Sequence, residues 1–592
     1  MKDRLLLFLI LILICAQTVT VFCSSNEKID DWQYNATEEQ SKGRMPHIGT
    51  SMSAPPVAMF RSQKLGFSVG GARDANNFYE NIKHGYLPKI KSITYEGVFA
   101  QHYFDAGFQS ECSALFCPNL FTAVTKNPFT EEIEYYLSAG LISGMKQHDF
   151  KRKKLNLVIV LDISGSMSSP FNTYYYDKGR KIEAPKEDGN KSKMQIANES
   201  IVAMLSHLTD YDSLGIVVFD DTAYLAKPLR PVKYTDMEAI KRHVLELKPR
   251  GGTNWSAGYL KGLSLFKKLP KENKNLKEFE NRIIFLTDAM PNLGELSEKG
   301  LFGMVKKASE QGIYTTFIGI GVDFNNDLVN AVSKTKGANY FSVHSSKMFK
   351  KRMDKEFDYW VTPLVFDLKM ELIAEDFIID AIYGAPESEM DTGTIFYLGT
   401  LFPSLTIDNK VKGGIILVRL KKKGKGLNGR IRLSYRDRSG KKHFLEKAIS
   451  FAKCCYFDNA SIRKGILLAE YVSLIQNWLI DARRACNDKV SNYQPLYPMG
   501  LKERALIYPP RRPEWKSLKT WERRSCPLKV SQGYKKLFAV FSRHFQQEAK
   551  ALKDTGLSKE LGTLRYLANM TKDKNDTKEK TDDWQLDETY SN

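Results

Sequence analysis

An unbroken apolar run that ends in acidic and hydroxyl side chains is the feature that most restricts how this chain folds. Residues 157–161 read Leu-Val-Ile-Val-Leu, and Asp162, Ser164 and Ser166 follow directly. A run of this length, rich in β-branched residues, is typical of a strand buried on both faces in the centre of a parallel sheet. Because α/β proteins place their sites at the carboxyl ends of such strands, we expect the functional site here. One carboxylate and two hydroxyls are hard oxygen donors that suit a cation such as Mg²⁺.

The residues around this run alternate between strand and helix patterns. Helical periodicity is present at 194–208, 237–247, 257–266, 301–310, 328–332 and 347–357. Apolar runs separate these segments at 214–219, 283–286, 314–320 and 340–343, and 223–226 is expected to pair with the first of them at the sheet edge. Strands that alternate with helices of this length predict an α/β fold with a doubly wound, mostly parallel sheet.

The rest of the 592-residue chain is too long for one core, so further domains are expected. After residue 360, short strand-like runs recur at regular intervals and predict a β-sandwich-like domain, which earlier strand-like pieces could complete. Helical periodicity returns at 462–484 and 534–552. The predicted order is a signal peptide (1–25), a flexible linker (26–62), an N-terminal α+β segment (63–155), the α/β domain (156–358), the β-sandwich-like domain (359–453), a helical C-terminal region (454–571) and a disordered charged tail (572–592).

The N-terminus has the layout of a secretory signal. Lys2 and Arg4 precede the apolar run 5–14, and cleavage is expected near 23–25. An uncleaved anchor is the alternative, because 5–22 reaches the lower limit for a membrane span. The predicted location is therefore secreted or extracellular, and membrane attachment is expected only through this segment.

Cysteines and glycosylation sequons agree with a secretory route. Six cysteines follow the leader, and the spacing of Cys112 and Cys117 permits a small local disulfide. A zinc site is the rival interpretation, but no pair of C-x-x-C motifs supports it. The sequence Asn254-Trp255-Ser256 is one of several N-x-S/T sequons, and we expect Asn254 to cap the following helix rather than to carry a glycan.

Two distant loops add to the candidate site. Gly251-Gly252-Thr253 lies between two predicted helices, and Asp288 ends the next buried strand. Together with Asp162-x-Ser164-x-Ser166, these residues resemble the metal-ion-dependent adhesion site of the von Willebrand factor A domain, over about residues 156 to 358. A turn in which Asp162 caps the backbone and the serines bond to the backbone is the structural alternative, but it leaves Thr253 and Asp288 unexplained.

The resemblance implies a role for each of these residues. Ser164 and Ser166 would bind Mg²⁺ directly, and Thr253 would bind it directly or through water. Asp162 and Asp288 would act largely through ordered water and by orienting the hydroxyls. Mn²⁺ and Ca²⁺ are alternatives to Mg²⁺. One coordination position would stay open for a carboxylate of a partner, since neutral hydroxyls leave the ion electrophilic.

The flanks resemble secreted von Willebrand A-domain proteins of the bacterial type, more loosely than the domain itself. The calcium-channel auxiliary and inter-α-trypsin-inhibitor heavy-chain families share the A domain, but further hallmarks of these families were not recognised in the sequence. No H-E-x-x-H motif is present, which argues against a metalloprotease.

These features predict a secreted, non-enzymatic binding protein of the adhesion type. Its expected partner is an extracellular or cell-surface protein with an exposed Asp or Glu. The formal net charge of +20 and patches at 421–425 and Arg511-Arg512 suggest a second hypothesis, a matrix or surface protein that binds anionic glycans or other polyanions. Nucleic acid is not expected in this compartment. Neither a P-loop nor G-x-S-x-G is present, so no enzyme is predicted.

Overall fold

The computed structural model describes residues 28–35, 66–68, 76–105, 112, 114–145, 149–171, 191–269, 275, 277–289, 300–321, 332, 335–343, 346–385, 393–404, 406–407, 410–412, 415–453, 455–487 and 526–570. The predicted signal peptide, the charged tail and residues 328–331 of the helix predicted at 328–332 lie outside these residues. The basic pair Arg511-Arg512 lies outside them as well.

The described residues contain strands and helices in the following order. The strands are β1 (Gly66–Ser68), β2 (Tyr103–Asp105), β3 (Phe116–Lys126), β4 (Ile133–Ser143), β5 (Lys154–Asp162), β6 (Ser213–Phe219), β7 (Ala223–Pro231), β8 (Phe279–Thr287), β9 (Ile313–Ile320), β10 (Asn339–Val343), β11 (Val365–Ile373), β12 (Phe377–Tyr383), β13 (Thr394–Ser404), β14 (Thr406–Ile407), β15 (Lys410–Lys412), β16 (Ile416–Lys422), β17 (Asn428–Arg436), β18 (Lys442–Ser450) and β19 (Tyr456–Phe457). The helices are α1 (Asn76–Lys83), α2 (Tyr95–Phe99), α3 (Lys193–Leu205), α4 (Met237–Glu246), α5 (Trp255–Phe266), α6 (Leu301–Glu310), α7 (Ser346–Met353), α8 (Phe357–Trp360), α9 (Ala460–Asn487), α10 (Gln532–Leu552) and α11 (Ser558–Asn569).

The α/β domain is built on a six-stranded sheet with the order β10-β9-β8-β5-β6-β7. Strand β5 lies near the centre and runs parallel to both β6 and β8, while β7 is antiparallel at one edge. Leu157 and Ile159 face the core shared with α3, α4 and α7, whereas Val158 and Val160 face the core shared with α5 and α6. The prediction of a doubly wound, mostly parallel sheet is confirmed, because both faces of β5 are covered by helices.

The helix predicted at 347–357 is divided in the structure. Helix α7 ends at Met353, and α8 begins at Phe357 after a short turn. Phe357 and Trp360 are both buried in the same core as α7, with their rings 5.4 Å apart in an edge-to-face contact. The break lets the two aromatic side chains of α8 enter this core.

A β-sandwich is the second architectural unit, and it contains strands from both sides of the α/β domain. One antiparallel sheet has the order β1-β13-β11-β17-β18, and the other has the order β12-β16-β4-β3-β19. Strand β4 pairs with β16 along Tyr135–Ala139 and Ile416–Leu420. The α/β domain is therefore inserted between β4 and β11, and strands of the predicted N-terminal segment complete the sandwich.

The helical region covers the outer face of the second sheet. Tyr136 and Leu417 of that sheet share a core with Trp478 of α9 and Phe538 of α10. Helices α1 and α2 pack into the same core, although they precede the α/β domain in the chain. Helix α9 is apolar on several sides because it lies between the sheet and the other helices. Among the described helices, none combines the length and the apolar character needed to cross a membrane.

Residues 28–35 lie against the edge of the α/β sheet, although the sequence assigns them to a flexible linker. Ile29 forms a parallel bridge with Thr235, and the Gln33 N–H donates to the Ala226 carbonyl at 2.7 Å. Tyr34 is part of the domain core. The linker prediction is wrong for these residues, because they gain backbone partners and aromatic packing that a short polar sequence does not reveal.

Ion pairs fix the connections between the α/β domain and the sandwich. Arg152, just before β5, binds Asp212 through both terminal nitrogens at 2.8 and 2.6 Å and Asp358 through Nε at 2.7 Å. Arg438, in the turn between β17 and β18, binds the buried Glu280 of β8 at 2.5 Å. Arg152 thus ties the entry of the inserted domain to its exit, and Arg438 joins the sandwich to β8.

The local disulfide that the spacing of Cys112 and Cys117 permits is present, with the two Cα atoms 5.9 Å apart. Cys526 is also disulfide-bonded. Disulfides persist in oxidising compartments, which agrees with the secretory pattern of the N-terminus.

Candidate metal centre

The first part of the site is the turn after β5. Asp162 ends this strand, and the backbone N–H of Ser164 donates to Asp162 Oδ1 at 2.8 Å. A short 3₁₀ helix, Gly165–Ser168, follows. Ser164 Oγ and Ser166 Oγ lie 3.1 Å apart, with Ser164 buried and Ser166 exposed. Two hydroxyl oxygens therefore converge at the carboxyl end of the central strand.

Asp288 comes from the neighbouring strand and joins these hydroxyls. It directly follows β8, which is parallel to β5, so both strand ends lie at the same edge of the sheet. Ser166 Oγ donates to Asp288 Oδ1 at 2.6 Å. The serine hydroxyls thus contact each other and a carboxylate rather than the backbone alone, although Asp162 does cap its turn as the structural alternative expects.

Thr253 lies on a loop that is hydrogen-bonded to the same turn. The Gly165 N–H donates to the Gly251 carbonyl at 3.0 Å, and the Arg250 N–H donates to the Ile163 carbonyl at 2.6 Å. Thr253 itself is exposed. The structure joins Asp162, Ser164, Ser166 and Asp288 through contacts that involve their side chains. For Thr253 it shows only that Arg250 and Gly251 of the same loop are bound to the turn.

Two acidic residues that the sequence analysis did not select hold this loop. Gly252 N donates to Asp221 Oδ2 at 2.9 Å, and Arg250 Nε donates to the buried Asp220 at 2.8 Å. A Cβ atom on Gly252 would lie 2.2 Å from Asp221 Oδ1, so any larger residue here would displace the Asp221 carboxylate from its contact with the loop. The signal was present in the sequence, because Asp220-Asp221 directly follows β6 at the same sheet edge.

Asp162 is fully buried and is held at both carboxylate oxygens. Thr287 Oγ1 donates to Asp162 Oδ2 at 2.6 Å, while Oδ1 accepts from Ser164 N. Burial raises the pKa of Asp162 to about 6, against the opposite effect of the hydrogen bonds from Ser164 and Thr287. A nearby cation favours the charged form of such a carboxylate. The buried carboxylate of Asp162 is therefore suited to lie beside a bound cation.

Lys193 is the second group that the sequence analysis missed. It is the first residue of α3, and its Nζ lies 2.8 Å from Asp288 Oδ2. The side chain is 13% exposed, and that of Asp288 is fully buried. Asp288 therefore accepts from Ser166 through one oxygen and from an ammonium group through the other.

The donor set can be tested against the chemistry of Mg²⁺. In an octahedral shell, metal–oxygen distances of about 2.1 Å put neighbouring ligands about 3 Å apart. The spacings of 3.1 Å between the serine hydroxyls and 2.6 Å from Ser166 to Asp288 approach this value. Within the described part of the chain, no group of three or more His, Cys, Asp or Glu side chains is arranged to hold a metal ion. A cation here would depend on hydroxyl oxygens, which favour Mg²⁺, Mn²⁺ or Ca²⁺ over Zn²⁺.

Comparison with known proteins identifies the domain that carries these residues. The family model of the von Willebrand factor type A domain matches residues 156–355. Human inter-alpha-trypsin inhibitor heavy chain H4 is 25% identical over 214 residues, which is 36% of this chain and 20% of that protein. Human heavy chain H3 is 21% identical over 297 residues, 48% of this chain and 31% of that protein. The uncharacterized protein YfbK of Escherichia coli is 22% identical over 222 residues, 37% of this chain and 33% of that protein.

The matches cover only parts of these relatives, between about a fifth and a third of their lengths. Among solved structures, a von Willebrand factor type A protein from Catenulispora acidiphila is similar to 65% of this chain and 84% of its own, with 15% identity and a TM-score of 0.36. From the sequence, the heavy chains were expected to share only the A domain with this chain. The alignment with heavy chain H3 covers 297 residues, more than the 200 residues that the domain model matches.

Proposed function

Because this chain contains a von Willebrand factor type A domain, we propose that it is a secreted, non-enzymatic binding protein that grips an acidic side chain of a protein partner through a divalent cation, with Mg²⁺ as the first choice. A role in protein interaction agrees with the domain type. The cation, its ligands and the chemistry of the partner are parts of the proposal.

The observation that carries the proposal is the convergence of three oxygens at the carboxyl end of β5. Ser164 Oγ, Ser166 Oγ and Asp288 Oδ1 form a continuous set of contacts of 3.1 and 2.6 Å. These three residues and Thr253 would hold the cation, with Asp162 orienting the turn through the Ser164 N–H. When bound, the cation would supply a site of positive charge for a carboxylate. Ser166 is exposed, so a partner would approach the cation from the side of this residue.

Secretion is supported by three independent features. The apolar run 5–14 follows two basic residues, the described residues include the Cys112–Cys117 disulfide, and several N-x-S/T sequons are present. The asparagines of two of these sequons have structural roles. Asn198 is buried and donates to the Leu247 carbonyl, and Asn254 caps α5, as the sequence analysis expects.

Calorimetry with Mg²⁺ on a matched pair of serine variants tests the site. Ser166→Ala removes an oxygen that contacts both Ser164 and Asp288. Ser168→Ala removes a hydroxyl of the same turn that donates to the Gly165 carbonyl. We expect Ser166→Ala to weaken Mg²⁺ binding roughly tenfold or more, about 1.4 kcal/mol, and Ser168→Ala to leave it near the wild-type value. Equal binding by both variants would mean that the cation binds elsewhere.

The partner is tested by capture from native extracellular material, with Mg²⁺ and again with EDTA. A partner held through the cation is lost in EDTA and is largely retained when salt is raised. Polyanion binding, the second hypothesis, has the opposite pattern because salt screens exposed charges. One feature weakens the second hypothesis: the Asp376 carboxylate, from the turn between β11 and β12, lies against Gly424 and Gly426 and offsets part of the positive charge of the basic loop.

A further inference from the structure

The ammonium group of Lys193 occupies a defined place in the candidate metal centre. Helix α3 begins at this residue, directly after Ser192, which forms a capping box with Gln195. The capped helix end positions the Lys193 backbone, and its Nζ lies 2.8 Å from Asp288 Oδ2. Both side chains are largely or fully shielded from water. A shielded ion pair is held more rigidly and screened less than one at the surface.

The two oxygens of Asp288 face different neighbours. Oδ1 accepts from Ser166, and Oδ2 pairs with Lys193. The formal charges of the three ionisable side chains at the centre of the site, Asp162, Asp288 and Lys193, sum to −1. A divalent cation would change this charge to about +1. Without Lys193, the same site would be neutral after the cation binds.

We propose that Lys193 is a specificity-determining residue of the metal centre, which shares Asp288 with the cation, lowers the affinity for the cation, and leaves the loaded site with the positive charge that attracts a carboxylate. This inference rests on the proposed function, because it concerns the same site. In this scheme, the charge of Lys193 and the charge of the cation both favour an acidic partner. Lys193 is a positioning residue in this scheme and does not contact the partner.

Lys191 offers a matched control two residues away. Its Nζ pairs with Glu199 Oε1 at 2.5 Å, and the other oxygen of Glu199 binds Lys350 of α7 at 2.8 Å. Lys191→Met therefore removes the same charge from the same end of α3 without touching Asp288. Lys193→Arg is a second control, because it keeps the charge.

The test is titration of the full mature chain with Mg²⁺ alone by calorimetry. Removing a positive charge beside a dication strengthens its binding, so we expect Lys193→Met to bind Mg²⁺ roughly tenfold more tightly than the wild type. Lys191→Met and Lys193→Arg should stay within about twofold of the wild type. Unchanged or weaker binding by Lys193→Met would overturn the inference. Absence of Mg²⁺ binding in the wild type would instead refute the proposed function.

Thermal unfolding in EDTA provides a second measurement that does not depend on calorimetric heats. Lys193→Met leaves the buried Asp288 carboxylate without its ammonium partner. In EDTA, the melting temperature of this variant should therefore fall below that of the wild type. Saturating Mg²⁺ should raise the melting temperature more in this variant than in the wild type. An equal loss of stability in EDTA and in Mg²⁺ would assign Lys193 a purely structural role and reject the inference.

Discussion

Single side chains hold the candidate site through contacts at both oxygens of each carboxylate. Asp162 accepts from Ser164 and Thr287, and Asp288 accepts from Ser166 and Lys193. With both oxygens engaged, neither carboxylate rotates without losing a contact of 2.6–2.8 Å. The orientation of the two carboxylates is therefore fixed partly by the candidate ligands Ser164 and Ser166 and partly by Thr287 and Lys193, which are not candidate ligands.

The candidate ligands could be predicted from the sequence, whereas two of the supporting groups, Lys193 and Thr287, could not. Asp162, Ser164, Ser166 and Asp288 follow apolar runs, and parallel strands bring their ends to one edge. Their assignment as ligands stays a prediction. Lys193 reaches Asp288 from a helix that follows a long polar segment, so its position depends on a chain path that periodicity does not show. Thr287, in turn, looks like an ordinary strand residue until β5 and β8 are known to be neighbours.

Asn254 allows a prediction at the same scale. Its side chain accepts from Ala257 N at 3.1 Å and caps α5. Asn254→Ala should lower the free energy of unfolding by about 1 kcal/mol, because it removes the cap. Asn254→Asp should cost less than this, since aspartate is an equally good cap. Both changes remove the sequon, so chemical denaturation is combined with mass spectrometry. A large loss of mass in Asn254→Asp would show that Asn254 carries a glycan.

At the scale of elements, residues 28–35 are an additional piece of the α/β domain. Trp32 stacks on His243 of α4, with ring centroids 5.1 Å apart. Asp31 lies 3.3 Å from the fully buried Nζ of Lys227 in β7. Sequence patterns could not find this contact, because the segment is short and its partners lie about 200 residues later. The longer helices and the central strands were predictable, since their periodicity extends over several turns or a whole buried run.

The Asp31–Lys227 pair predicts a non-additive result in a double-mutant cycle. Asp31→Asn leaves a buried ammonium without its carboxylate and should cost roughly 3 kcal/mol of stability. The double variant Asp31→Asn/Lys227→Met removes both charges and should recover much of this loss. Urea unfolding of the four proteins gives the coupling free energy. Additive losses would show that the two charges are not coupled and that the backbone and aromatic contacts hold the segment.

The same pair has a pH dependence with a defined sign. Burial lowers the pKa of Lys227 from 10.5 to about 8, and the charge of Asp31 acts against this change. Between pH 8 and 10.5 the unfolded chain binds more protons at this group than the folded chain, so folding stability rises with pH. The stability of the wild type relative to the double variant should therefore increase over this range, by at most about 3 kcal/mol. A flat difference would contradict the lowering of the Lys227 pKa by burial.

At the scale of the whole molecule, the α/β domain is clamped to the sandwich. Arg152 binds Asp212 and Asp358, and Arg438 binds the buried Glu280. Trp360 is buried in the domain core between these contacts. The contacts favour a rigid junction, in which binding at the cation site leaves the relative position of the two units unchanged.

Hydrogen exchange at residues 346–364 tests the rigid junction. We expect the amides of this segment to exchange at the same rate in EDTA and in saturating Mg²⁺. Arg152→Ala should accelerate exchange near Asp358, because it removes the ion pair that fixes the exit of the domain. Lys154→Ala is a suitable control, as its ion pair with Glu278 is exposed. Slower exchange in Mg²⁺ than in EDTA would show that cation binding is transmitted across the junction.

The insertion of the α/β domain between β4 and β11 also affects the order of events during synthesis. Strands β3 and β4 leave the ribosome early, but β16, the neighbour of β4 in the sheet, follows only after the whole inserted domain. At about 5–20 residues per second, the roughly 270 residues between them take on the order of tens of seconds to make. During this time Tyr136 and Leu137 of the nascent hairpin lack the two cores that cover its faces. Any substitution that delays folding of the inserted domain would therefore prolong this exposure, and its first effect would be aggregation of nascent chains rather than loss of cation binding.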